Sequence, residues 1–100
     1  MITFTVQLHP EHEGQPDRGS NDYEYAFRDF SSRALPRTGD ILSIHGGLMV
    51  IRAAVTEVMH VLPENGESRI IVSVTIPDHV YDGETSNLQR YGWEFYDLEL

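Results

Sequence analysis

The stretch from Gly47 to Ile76 constrains the fold of this chain more than any other part of the sequence. Two long, mostly apolar runs, residues 48–62 and 68–76, flank a short polar segment that contains Asn65-Gly66. Asn-Gly between β-rich runs is a strong hairpin signal, because both residues accept the positive φ angles of a type I′ turn. The sequence therefore predicts a long antiparallel hairpin closed by a two-residue turn.

The pairing within this hairpin predicts a distortion of its first strand. Alternate residues from Ile70 to Ile76 are apolar and should face the core. A two-residue turn pairs Val61 with Ile70, but the same register points Glu57 inward. A slip of one residue would bury His60 instead. We therefore expect a bulge or bend near Glu57, where the strand changes its inward face.

Length and composition indicate one small domain, residues 1–100. Of the 100 residues, 40% are hydrophobic, which suffices for one modest core. The chain has no cysteine, which excludes disulfides, thiolate catalysis and cysteine-based zinc sites and agrees with a cytoplasmic location. The sequence shows no signal-peptide pattern and no run of ~18 apolar residues that could span a membrane.

The chain is strongly acidic, and its charges are unevenly distributed. The formal net charge of −9 argues against nucleic acid or an anionic membrane as a partner. Acidic residues concentrate in residues 11–29 and 78–99, whereas residues 33–62 are slightly basic. One interpretation is a solvated surface that aids solubility. The sharper interpretation is an acidic face for a basic protein partner.

Alternation of apolar and polar residues predicts the remaining strands. Residues 2–8 alternate as a half-buried strand that Pro10 ends, residues 41–44 form a short strand, and residues 91–100 form a last aromatic strand. Residues 23–30 fit a strand, and they also fit one face of a helix. We favour the strand, because aromatic residues dominate this segment.

Glycine and proline mark the connections between these strands. Gly39 predicts a tight turn within residues 35–40, and Gly46-Gly47 predicts a second hairpin. Residues 9–22 read as a long polar loop, and residues 77–87 as a polar loop with one helical turn at most. The whole pattern is typical of a mainly β protein, a small, partly open barrel of five to six antiparallel strands with at most one short helix.

A resemblance supports the barrel. The run Leu35-Pro36-Arg37-Thr38-Gly39-Asp40-Ile41, followed by His45-Gly46-Gly47 and the strand from Val55 to His60, resembles a group of small uncharacterised bacterial and phage-type proteins. The resemblance covers residues 35–76. It implies an SH3-like barrel and no particular activity. The long 9–22 loop and the acidic tail depart from that pattern, so any added function is expected there.

One cluster carries potential metal ligands. His9, His12 and Glu13, with Glu11 between them, can contribute to a Zn²⁺ or Ni²⁺ site if a further ligand comes from elsewhere. Pro10 prevents the helix that would align the two histidines, so a solvated loop is the favoured interpretation. We therefore predict no metal and no cofactor.

The sequence lacks a catalytic motif. No serine lies in a Gly-x-Ser-x-Gly context, and Gly46-Gly47 is not followed by the Lys-Ser/Thr of a phosphate-binding loop. His60 and His79 have no nucleophile near them in the sequence. We therefore expect a protein that is not an enzyme, with a small metal-binding protein or enzyme that uses the loop histidines as an alternative.

The favoured function is a non-enzymatic interaction module that binds a basic protein partner through an acidic and aromatic face. One version is a phage or mobile-element protein. The residues predicted to form this face are Arg37, Asp78, Tyr81, Asp82, Glu84, Trp93 and Glu94. A further alternative is a structural subunit whose edge strand is completed by a neighbour. The sequence leaves the oligomeric state open.

Overall fold

Six strands form one curled sheet in the computed structural model, which describes residues 1–11 and 23–97. The strands are β1 (Ile2–Pro10), β2 (Tyr23–Ser32), β3 (Ile41–Gly46), β4 (Met49–Val61), β5 (Arg69–Ile76) and β6 (Glu94–Asp97). Two helices, α1 (Asp78–Gly83) and α2 (Thr85–Arg90), connect β5 to β6. The mainly β, partly open barrel is confirmed, with two short helices where at most one was expected. Residues 23–30 are a strand, as favoured.

The order of the strands is β3-β4-β5-β1-β2-β6. Four of the five neighbouring pairs in the described chain are antiparallel. The β1–β5 pair is parallel, with Thr5 opposite Ile71 and His9 opposite Thr75, so the expectation of only antiparallel strands is wrong at this pair. The physical reason is that β1 inserts between β2 and β5, and the helical connection after β5 returns the chain to the far side of β2.

The β4–β5 hairpin and its bulge are confirmed. The pairing shifts between Val55 and Glu57, the position where the sequence predicts a distortion. Before the bulge Val55 is buried, and after it Val58 continues the inner face opposite Val72, while Glu57 is exposed. The bulge thus keeps the carboxylate of Glu57 out of the core.

The turn of this hairpin differs from the prediction. β4 ends at Val61, which pairs with Arg69 rather than Ile70, and residues 62–68 form an open loop. Gly66 has a φ of +99°, but none of the described non-glycine residues has a positive φ. Asn65 therefore does not form a type I′ turn, which needs positive φ at both central residues.

The β3–β4 hairpin is closed by a two-residue turn. Gly46 pairs with Met49, and Gly47 has the positive φ, +62°, that the turn requires. The turn before β3 is also confirmed. Gly39 has a φ of +94°, and the backbone N–H of Asp40 donates to the carbonyl of Arg37 at 2.9 Å.

The core fills the inner face of the sheet. Alternate β1 side chains Phe4, Val6 and Leu8 are buried, as the sequence predicts for this strand. The helices cover this face and add Tyr81 and Leu88, both fully buried. Both helices have six residues, and among the described residues no helix is long and apolar enough to cross a membrane.

Candidate functional site

The outer face of the sheet, which points away from the two helices, carries a concave accessible surface. Side chains on β1 and β2 alternate between the core and this face. The register places Gln7 opposite Phe27 and Thr5 opposite Asp29, and the parallel ladder places Ile71 beside Thr5. Three strands thus bring polar and apolar side chains together on one surface.

A groove with a volume of about 460 Å³ lies on this outer face. We call it the outer groove. It is lined by Thr3, Phe4, Thr5, Gln7, Tyr25, Phe27, Asp29, Glu67, Ser68, Arg69, Ile70 and Ile71. Ile71 is only 8% exposed although it lies outside the main core, so the groove has an apolar floor. Seven of the twelve lining residues are polar or charged, so the groove offers polar contacts around a smaller apolar patch, and its concavity is the feature that it shares with binding sites.

Two aromatic rings, Tyr25 and Phe27, line one side of the outer groove, and further rings pack against Tyr25. The Tyr25 ring lies 5.1 Å from that of Tyr96 with an interplanar angle of 6°, and 6.0 Å from that of Phe27. On its other side Tyr25 contacts the imidazole of His9, at 5.2 Å between ring centres. The row therefore crosses from β6 over β2 to β1. Because each ring packs against another, the wall is held in one orientation.

The polar rim of the groove is also ordered by cross-strand bonds. The hydroxyl of Thr5 donates to a carboxylate oxygen of Asp29 at 2.5 Å, and the hydroxyls of Thr3 and Ser31 lie 3.1 Å apart. The side chain of Asp29 is exposed, so this carboxylate remains accessible to a ligand. The rim also includes Glu67 and Arg69, so carboxylates outnumber cations among the described lining residues.

The structure does not assemble the predicted acidic and aromatic face, because its two aromatic members are in the core. Tyr81 and Trp93 are 0% and 3% exposed. Tyr81 on α1 packs edge-on against Phe95, and Trp93 packs against Phe30. A partner cannot reach either side chain in the folded protein, so the prediction is wrong for these two residues.

The charged members of that face lie on separate elements. Asp78, Asp82 and Glu84 are half-buried on α1 and directly after it, and Glu94 is exposed on β6. Arg37 is exposed in the turn before β3, where its backbone N–H donates to the carboxylate of Asp40 at 2.8 Å. Their role in binding stays a prediction.

The candidate metal ligands fall partly within the structure. His9 belongs to β1 rather than to a loop, and its Nε2 lies 3.0 Å from the side-chain oxygen of Gln7. His12 and Glu13 lie outside the described residues. Within 1–11 and 23–97, no group of three or more histidine, aspartate and glutamate side chains is placed to hold a metal ion.

Sequence reasoning missed the outer groove, although β2 carried a signal for it. Tyr25 and Phe27 alternate with Ala26 and Arg28, so the aromatic rings of this segment lie opposite the buried Ala26. A strand that buries a small residue and turns its large rings to the other side indicates a surface that is not merely solvated.

No protein-family model matches the chain, and the comparisons with curated proteins and with solved structures find no match either.

Proposed function

We propose that this protein is a non-enzymatic interaction module that binds a basic segment of a protein partner in the outer groove. The observation that carries the proposal is the combination of a fixed aromatic wall, an apolar floor and an exposed carboxylate within one concave surface. The absence of cysteine agrees with a cytoplasmic setting, which we include in the proposal.

The side chains of the groove suit an arginine or a lysine of the partner. The aliphatic part of such a side chain can pack on Phe27 and Ile71 while its charged end meets the carboxylate of Asp29. A cation over an exposed aromatic ring contributes about 0.5–1 kcal/mol, and a charge-assisted hydrogen bond adds to that. The net charge of −9 raises the rate at which a basic segment arrives.

Arg69 at the rim limits which segments fit. It repels a second cation placed at its end of the groove, so the partner should present a neutral or acidic residue there. The groove therefore favours a short segment with one or two basic side chains over a long polybasic tract, and this distinguishes it from a general cation-binding surface.

Titration of the isotope-labelled protein with a short arginine-containing peptide tests this proposal. The control peptide carries citrulline, which has nearly the same shape without the charge. We expect backbone amide signals of Thr5, Phe27 and Ile71 to shift with the arginine peptide and much less with the citrulline peptide. Shifts confined to α1 and β6 would instead support binding at Asp78, Glu84 and Glu94, and would contradict the outer groove.

Two matched variants identify the carboxylate that is used. Asp29→Asn and Glu57→Gln each remove one exposed negative charge, the first inside the groove and the second at the β4 bulge, two strands away from the β1–β2 part of the groove. We expect Asp29→Asn to weaken peptide binding about fivefold, which corresponds to about 1 kcal/mol, and Glu57→Gln to leave it nearly unchanged. Equal losses in both variants would show that only overall charge matters.

A further inference from the structure

The outer edge of β3 is a second surface that the groove does not explain. We propose that this edge binds an extended, acidic segment of a partner protein, which adds to the sheet as a further strand. The proposal is independent of the outer groove, since β3 lies at one end of the sheet and the groove lies on β1, β2 and β5.

The backbone of β3 has unused hydrogen-bonding groups on this edge. Two pairs at opposite ends of β3 identify the hydrogen-bonded positions. Gly46 and Met49 flank the two-residue turn, which makes them a bonded pair, and the N–H of Val55 donates to the carbonyl of Asp40 at 2.8 Å. Because bonded and non-bonded pairs alternate along an antiparallel ladder, the even-numbered residues from 40 to 46 bond to β4. The N–H and C=O groups of residues 41, 43 and 45 therefore point outward, where no other described strand pairs with them.

Apolar side chains accompany this open edge. On the β3–β4 hairpin Ile41 is 65% exposed, Val50 is 52% exposed, and Leu48 at the turn is fully exposed. Single exposed apolar residues are common, but three on one short hairpin beside an open strand edge are typical of an interaction surface. A partner strand gains main-chain hydrogen bonds from the edge and apolar contacts from these side chains.

The local charge indicates that the partner segment is acidic. Residues 41–54 contain no aspartate or glutamate, although the whole chain has a net charge of −9. Arg52 is exposed on β4 directly opposite Ser43, and His45 lies next to it on β3 with its Nε2 2.8 Å from the Ser43 hydroxyl. An acidic side chain on the added strand can reach Arg52, whereas a basic one is repelled.

A second copy of this chain fits the edge less well. Antiparallel pairing of two β3 strands about Ser43 would place the two Arg52 side chains on the same face, with no carboxylate from residues 41–54 to separate them. Self-pairing also supplies no carboxylate for Arg52, whereas an acidic partner segment does. The edge is therefore better suited to a different protein.

A proline at Ser43 tests the proposal directly. Proline is tolerated on an edge strand where the lost N–H faces solvent, so Ser43→Pro removes an outward donor and leaves the bonds to β4 intact. Ser43→Ala is the matched control that keeps the N–H. The probe is a labelled ten-residue peptide in which valine and glutamate alternate, and its binding is followed by fluorescence anisotropy at low salt.

We expect Ser43→Pro to bind this peptide at least tenfold more weakly than wild type, and Ser43→Ala to bind it unchanged. Phe27→Ala, which alters only the outer groove, should also bind it as wild type does, so the two proposals can fail separately. Equal binding by the proline variant and wild type would overturn the proposal. So would a wild-type dimer in sedimentation that Ser43→Pro abolishes, since a second copy would then occupy the edge.

A second pair of variants keeps the test valid if Ser43→Pro loses its circular dichroism spectrum. Ile41→Glu and Ile41→Lys both place a charge at the same exposed position. We expect the glutamate variant to bind the acidic peptide several-fold more weakly than the lysine variant, because the first repels the peptide and the second attracts it. Indistinguishable binding by the two variants would overturn the proposal.

Discussion

The two hairpins that share β4 differ in how tightly their chains turn. Between β3 and β4 the chain reverses within Gly47 and Leu48, and pairing continues up to Gly46 and Met49. Between β4 and β5 an Asn-Gly pair is present, yet pairing stops at Val61 and Arg69 and residues 62–68 remain open. The stronger local turn signal thus gives the looser turn.

Tertiary packing explains this difference. At Gly46 a Cβ atom would lie 2.8 Å from the Tyr91 ring, and at Gly47 it would meet the Tyr91 hydroxyl, so the short turn packs closely against another part of the chain. A Cβ atom at Gly66 would have no described neighbour within 4 Å apart from the adjoining residues. Packing against Tyr91 therefore stabilises the turn between β3 and β4. The turn between β4 and β5 has no such contact among the described residues, and its pairing register is also changed by the bulge at Val55 and Glu57.

The largest effect is expected at the packed turn. Gly47→Ala puts a side chain at a φ of +62° and against the Tyr91 hydroxyl. We expect the free energy of unfolding, measured with urea, to fall by about 2–4 kcal/mol. In a Tyr91→Phe background the hydroxyl is gone but the ring carbon Cζ would still lie 3.1 Å from the new Cβ, so the loss should shrink while staying above the ~1 kcal/mol of backbone strain alone. The same loss in both backgrounds would show that the contact with the Tyr91 hydroxyl is not the cause.

An intermediate effect is expected at the open turn. Gly66→Ala meets no neighbouring atom, but it forces alanine to a φ of +99°. Backbone strain without a steric clash should lower the free energy of unfolding by about 1–2 kcal/mol. Tyr91→Phe serves as the control background here too, and it should not alter the cost of this substitution. A cost that depends on Tyr91 would contradict the separation of the two turns.

The smallest effect is expected at the neighbouring residue. Asn65 has no positive φ, so Asn65→Ala gives up no special backbone preference and should change the free energy of unfolding by less than about 0.5 kcal/mol. A type I′ turn would make the same substitution distinctly costlier, because asparagine tolerates the left-handed region better than alanine does. Urea denaturation of this variant beside Gly66→Ala therefore distinguishes the open loop from a tight turn.

Local pattern predicted much of the fold. Alternation identified β1, the Gly46-Gly47 hairpin was placed correctly, and the conflict at Glu57 located a bulge without any structure. Each of these features depends on residues close together in the sequence. The parallel β1–β5 pair could not be predicted in this way, because nothing in either strand specifies a distant partner. α2 was missed because a polar segment, Thr85–Arg90, buries only Leu88.

The candidate sites show the same limit. Aromatic content suggested a binding face, but alternation alone did not tell which rings lie inside. Trp93 and Tyr81 are buried because the helices fold back over the inner face, whereas Tyr25 and Phe27 lie on the outer face. The slightly basic middle of the chain was visible in the sequence. That it forms an open edge became apparent only from the order of the strands.

The parallel ladder between β1 and β5 also determines when the molecule can be completed during synthesis. β1 leaves the ribosome before β5, so one of its two neighbours in the sheet is not finished until Ile76. Such long-range pairing slows folding, because a large loop must close before the contact forms. Until β5 pairs with β1, the side chains of Val6 and Leu8 are more exposed to solvent than in the finished fold. During this period the nascent chain can associate with other unfinished chains.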